Sequence, residues 1–212
     1  MLSEAFDISP ASASLSVSAG TAALALLLIP ASILSDRIGR MRVMKTSLTL
    51  AAIVALASPF VTDFNQLLVL RALLGAALAG LPAAAMAYLG EEIAPQAQGR
   101  AMGLYIAGNA LGGMSGRFIS ALVAQWSSWR IALGVLGVLG VIAAFLFWRS
   151  LPASRHFSPR AARPARILSD VRALFSDEAM PWLFLTAFLL MGAFIGLYNY
   201  LGFRLMEAPF GL

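Results

Sequence analysis

The chain has 212 residues, 60% of them hydrophobic and 12% charged, with a net charge of +5 and no cysteine. A soluble domain carries about a quarter charged residues, so this composition excludes an ordinary water-covered fold, and the missing thiols exclude a disulfide framework or a cysteine metal site. The basic balance would suit nucleic acid only on a soluble fold with a basic face, so no nucleic-acid partner is expected.

The opening stretch MLSEAFDISP is polar and acidic where a cleavable signal peptide begins basic, so none is expected. Six apolar runs follow, at about 13–35, 43–62, 66–89, 100–124, 129–148 and 180–201. A hydrocarbon core about 30 Å thick takes roughly 20 helical residues to cross. Lipid offers no partner to a free backbone amide, so each run should be an α-helix. None alternates apolar and polar residues as a barrel strand does. The expected fold class is an all-α polytopic membrane protein with six spans, its first partner the lipid bilayer. Five spans form a bundle over residues 1–148. A basic cytoplasmic linker covers 149–179, and a last span with an outward tail covers 180–212.

The connectors set the expected orientation. On one side stand Arg37, Arg40, Arg42, Lys45, Arg100, Arg149, Arg155, Arg160, Arg163, Arg166 and Arg172; on the other, only Arg130 and Arg204, beside Glu4, Asp7, Asp63 and Glu207. Short basic loops stay in the cytoplasm, so both termini are expected outside. The first such loop, SILSDRIGRMRVMK, holds more than that rule needs. Asp36 stands where the helix dipole disfavours a carboxylate, and Gly39 permits a sharp backbone reversal. The stretch reads as a hinge carrying paired charges.

SDRIGRMRVM resembles the cytoplasmic loop motif of the major facilitator superfamily, secondary transporters of twelve helices in two halves. The pattern Gly-x-x-x-Asp-Arg-x-Gly-Arg is matched by Asp36, Arg37, Gly39 and Arg40, with Ser32 at the leading glycine. RALLG, Arg71 to Gly75, resembles the family's fourth-helix motif, with Leu74 where glutamine is common. GNALGGMSGR, Gly108 to Arg117, is similar to the fifth-helix motif of its exporters, with Gly113 for the proline and Arg117 for the last glycine. Further stretches are similar to bacterial inner-membrane permeases of the arabinose-efflux type. The resemblance implies a partial major-facilitator fold, helices two to seven, lacking the first helix and the last five. The linker between the family's halves then falls on the basic loop, which ends as a short amphipathic stretch suited to the membrane surface.

Several residues invite chemistry. Arg71 and Arg117 are the charges inside spans, and such residues are functional candidates, although each could snorkel to the outer interface. Tyr105 and Asn109, at i and i+4, share a helix face, and with Asn199 they could line a cavity or serve as helix contacts. Gly108, Gly112 and Gly116 make a small-residue stripe, expected to face a neighbouring helix at close approach. GMSG also matches the Gly-x-Ser-Gly of rhomboid proteases, but a serine nucleophile needs a nearby base. The single histidine, His156, lies in the linker and has no companion metal ligand. No Asp or Glu lies within a span, so a proton, the candidate coupling ion, would need a carboxylate elsewhere.

The sequence thus reads as part of a transporter of small organic solutes or sugars, an exporter working by alternating access, with no enzymatic activity, metal or cofactor expected. The alternatives are a non-transporting membrane fragment or scaffold and a rhomboid-like intramembrane protease. Asp36, Arg37 and Arg40 are expected to form a conformational latch with Glu91 or Glu92 and Arg100. Without the missing helices of the full-length transporter, the chain alone is not expected to transport.

Overall fold

The computed structural model describes residues 6, 8–155, 157, 169 and 172–206, in two compact units, residues 1–161 and 162–212. His156, Arg160, Arg163, Arg166, Glu4, Asp7 and Glu207 lie outside the described residues, as does most of the amphipathic end of the linker. The first unit contains α1 (Pro10–Ile38), α2 (Arg40–Ala57) with a 3-10 turn Ser58–Phe60, α3 (Phe64–Leu78), α4 (Gly80–Glu92), α5 (Pro95–Trp126) and α6 (Trp129–Ser150). The second contains α7 (Met180–Met206).

Short polar residues start these helices. The Ser9 hydroxyl accepts from Ser12 N–H at 3.0 Å, the Asp63 carboxylate from Asn65 and Gln66, and the Ser128 hydroxyl from Ile131. Each satisfies an N–H that the first turn leaves open. On the second unit, the Asp177 carboxylate accepts from Ala179 and Met180 as α7 begins.

The run expected at 66–89 is two helices, broken at Ala79. Pro82 has no N–H to give Leu78, and its ring crowds that carbonyl. The break brings Gly80 against α2, where an added methyl would overlap the Ser47 hydroxyl and lie 2.8 Å from Val43 Cγ1. The connectors are shorter than the apolar runs imply. One residue, Gly39, separates α1 from α2, and two, Ile93 and Ala94, separate α4 from α5.

Helix α2 is the centre of the bundle, packing against α3, α4 and α6, while α1 lies along α3 and α4. Helix α5 is held at the edge by α6 and α4. A buried cluster joins Val43 and Met44 of α2 to Ala84, Ala85 and Tyr88 of α4, with Tyr105 and Phe147 packed against it. Leu26, Ile29, Phe118 and Phe145 point outward, as a bundle solvated by lipid allows.

Four stretches among the described residues are long and apolar enough to cross a membrane: Ser12–Ile38, Arg40–Phe60, Phe64–Glu92 and Trp129–Ser150. Four of the six expected spans are thus found by length and composition among the described residues. Helix α5 is 32 residues long, but Gln96, Gln98, Arg100, Asn109, Arg117 and its glycines dilute its apolar character. Helix α7 runs for 27 residues, of which Met180–Phe194 form the described apolar stretch.

Candidate functional site

The hinge motif builds a charge cluster at one end of the bundle. Gly39 adopts φ +107°, a conformation that costs an ordinary residue about 1–3 kcal/mol. The chain reverses there within one residue, so Asp36 on the last turn of α1 faces Arg40 on the first turn of α2. Arg40 is 6% exposed. Its Nη1 lies 2.5 Å from Asp36 and donates to Ser35 Oγ at 2.6 Å, while Nη2 donates to Glu91 Oε1 at 3.0 Å. Nε donates to both Glu91 oxygens at 3.3 and 3.4 Å. A guanidinium fork can reach three partners in a plane, which an ammonium cannot. Ser35 is fully buried and turns its own hydroxyl proton to the Ser32 carbonyl at 2.8 Å, leaving its lone pairs for Arg40.

The cluster ties the α1–α2 turn to the end of α4. Charge-assisted hydrogen bonds are roughly twice as strong as neutral ones. Asp36 and Glu91 are 34% and 30% exposed, so solvent screens part of that strength.

Glu92 faces the other way. Its Oε1 accepts from the Ser154 hydroxyl at 2.5 Å and from Arg155 N–H at 2.8 Å. One turn earlier, the Tyr88 hydroxyl donates to the Pro152 carbonyl at 3.0 Å. The Phe157 ring lies 3.6 Å from where a Gly39 methyl would stand. The first residues after α6 thus cross the end of α4 as a strap and reach the turn. An open groove of about 470 Å³ lies between turn and strap, lined by Arg37, Arg42, Ser154 and Phe157 among others. Sequence reasoning named the two glutamates as alternatives for one partner and missed Ser35, Tyr88, Ser154 and Phe157. The one available signal was the pairing of adjacent carboxylates, which a helix end directs to different sides.

The remaining candidates fall as follows. Arg37 is exposed beside the cluster. Arg100, expected in a loop, lies on the second turn of α5, exposed and outside the cluster. Arg71, on α3, is half-buried, and its Nε is buried with no hydrogen-bond partner among the described residues. Tyr105 packs against the α2–α4 core, whereas Asn109 is exposed one turn further along α5, so the pair does not act as one polar surface. Arg117 and Ser115 are exposed on the same helix. Asn199 lies on α7, its side chain outside the described residues.

The glycine stripe meets no neighbouring helix among the described residues. Gly108, Gly112 and Gly116 have no described atom within 4 Å of an added methyl, because α5 packs chiefly on α6 and α4, with Tyr105 reaching the α2–α4 core, and the stripe lies away from these contacts. The close approaches occur elsewhere. A methyl at Gly75 would overlap Gly20 O, one at Gly20 would lie 3.1 Å from Arg71 O, and one at Gly137 3.1 Å from Ala55 O.

Comparison with known proteins agrees with this architecture. The profile of the Major Facilitator Superfamily matches residues 1–211. The chain is 46% identical over 209 residues to the inner membrane transport protein YnfM of Escherichia coli (strain K12), a match covering 99% of the chain and 50% of the relative. It is 43% identical over 207 residues to the uncharacterized MFS-type transporter YybF of Bacillus subtilis (strain 168), covering 98% and 51%. The chain spans about half the length of the curated relatives it matches.

Proposed function

Because the chain belongs to the major facilitator superfamily, we propose that it supplies most of one half of a secondary transporter that exports small organic solutes or sugars by alternating access. In such transporters two halves rock about a site near the bilayer midplane. The observation that carries the reading is the Arg40 cluster, a buried cation bound by carboxylates from two helix ends across a one-residue turn. We assign it the role of a gate latch that holds the basic end closed and releases as the halves rock. The excess of arginines at this end supports its placement in the cytoplasm, which makes the latched state outward-open. Arg71, half-buried on α3 with no partner for its Nε among the described residues, is the candidate contact for an anionic solute group or for coupling. A proton-coupled cycle would draw its carboxylate from outside the spans described here. The bacterial inner membrane is the proposed location, in keeping with the name of the E. coli relative.

The glycine face of α5 supports the incompleteness of the chain by itself. In the longer protein, that face receives helices from the remaining length. The test is reconstitution in liposomes with a panel of labelled sugars and small organic solutes. A protein of the relatives' full length carrying this half should show saturable flux, and the 212-residue chain none. Saturable, substrate-specific flux from the chain alone would overturn the reading.

A further inference from the structure

At the end opposite the latch, a groove of about 750 Å³ runs between the end of α2 and the start of α6. Its walls are apolar, with Phe60 on one side and Gly134, Val138 and Leu139 on the other, and Arg130 stands at its mouth. Gly134 leaves the trough open, with Pro59 Cγ 3.6 Å from where its methyl would be. From Arg130 to Leu139 the trough follows α6 for about 13 Å by the helical rise. It therefore starts at the end of the bundle and descends well into the hydrocarbon layer.

Arg130 is exposed and makes no ion pair among the described residues. Its Nη2 donates to the Val61 carbonyl at 3.2 Å, and its guanidinium stacks over the Trp129 ring at 4.4 Å. These two contacts fix the group at the rim and use one of its five N–H donors. Trp126, four residues earlier in the chain, is 78% exposed, and tryptophans gather at the level of the lipid headgroups. A fixed cation at headgroup depth above an apolar trough is complementary to an anionic amphiphile, and in a bilayer the phosphate of a lipid carrying acyl chains is the one at hand.

We infer that this groove is a binding site for a glycerophospholipid, its phosphate on Arg130 and one acyl chain along Gly134, Val138 and Leu139. The arginine supplies charge-assisted hydrogen bonds to the phosphate, and the trough supplies apolar burial without asking the protein to rearrange.

Native mass spectrometry of the purified 212-residue chain tests this, with phosphatidylglycerol as the probe and diacylglycerol of the same chains as its phosphate-free control. Wild type should retain one phosphatidylglycerol and hold diacylglycerol roughly tenfold less tightly, as loss of a charge-assisted contact implies. Arg130→Gln should erase that preference, and Arg130→Lys should restore part of it. Val138→Trp, at a position 52% exposed and so tolerant of bulk, should fill the trough and expel the lipid with Arg130 intact. Equal phosphatidylglycerol retention by Arg130→Gln and wild type would overturn the inference, as would full retention by Val138→Trp. So would displacement of the lipid by inorganic phosphate, which would mark a free-anion site. In the full-length protein, a cysteine placed at Val138 of this cysteine-free chain should react with a lipid-soluble maleimide. Complete protection there would show a helix, not lipid, in the groove.

Discussion

On α3, a methyl at Gly75 would overlap the backbone of Gly20, whereas on α5 Gly108, Gly112 and Gly116 meet no described atom within 4 Å. The contrast extends to polar groups. Around α1, α2 and α4, Ser35, Asp36, Arg40 and Glu91 are bound to one another, while Asn109 and Ser115 on α5 are exposed. Small residues permit close packing, but they do not name the partner. On the α1–α4 side the partner is within the chain. On α5 the same residue types stand ready for a surface that the first unit does not supply.

Breaking the packed side should therefore cost more than altering α5. The largest effect is expected for Gly75→Ala, whose methyl must push α1 off α3; overpacking of this kind costs about 3 kcal/mol, read as a lowered thermal midpoint in detergent. Next comes Arg40→Ala. Losing one member of a buried ion pair costs about 3–5 kcal/mol, and the exposure of Asp36 and Glu91 reduces the expected loss to about 2 kcal/mol. Asp63→Ala removes the cap of α3 and should cost about 1 kcal/mol. Gly112→Leu should change the stability of the 212-residue chain by less than about 1 kcal/mol, since an open site adds no clash and only the helix penalty of glycine is relieved. The same substitution should abolish flux in the full-length protein. A large destabilisation of the chain itself by Gly112→Leu would erase the distinction between the two regions.

Much of this was legible in the residues because the solvent enforces it. Long uncharged runs in lipid have one secondary structure open to them, and the hinge at Gly39 is written in its neighbours, with Asp36 and Arg40 placed where a one-residue turn brings them face to face. Other features are set by contacts that local sequence does not encode. The break at Ala79 depends on Pro82 acting one turn upstream inside an otherwise apolar run. Gly20 and Gly75 lie far apart in sequence, without the regular spacing that drew attention to Gly108, Gly112 and Gly116. Glu92 binds the Arg155 amide, and a backbone donor carries no side-chain signature. Arg100 was misplaced because α5 begins at Pro95, several residues before its apolar run.

The central claim is that the Arg40–Glu91 clasp is a gate and not merely a fastening of one half. Hydrogen exchange on the full-length protein in nanodiscs addresses it without knowing the substrate, by comparing wild type with Glu91→Gln. A gate predicts reciprocal change: faster exchange at the basic end, residues 34–42, and slower exchange at the opposite end, residues 58–66, as opening one end closes the other. Faster exchange confined to residues 34–42, with 58–66 unchanged, would contradict the account.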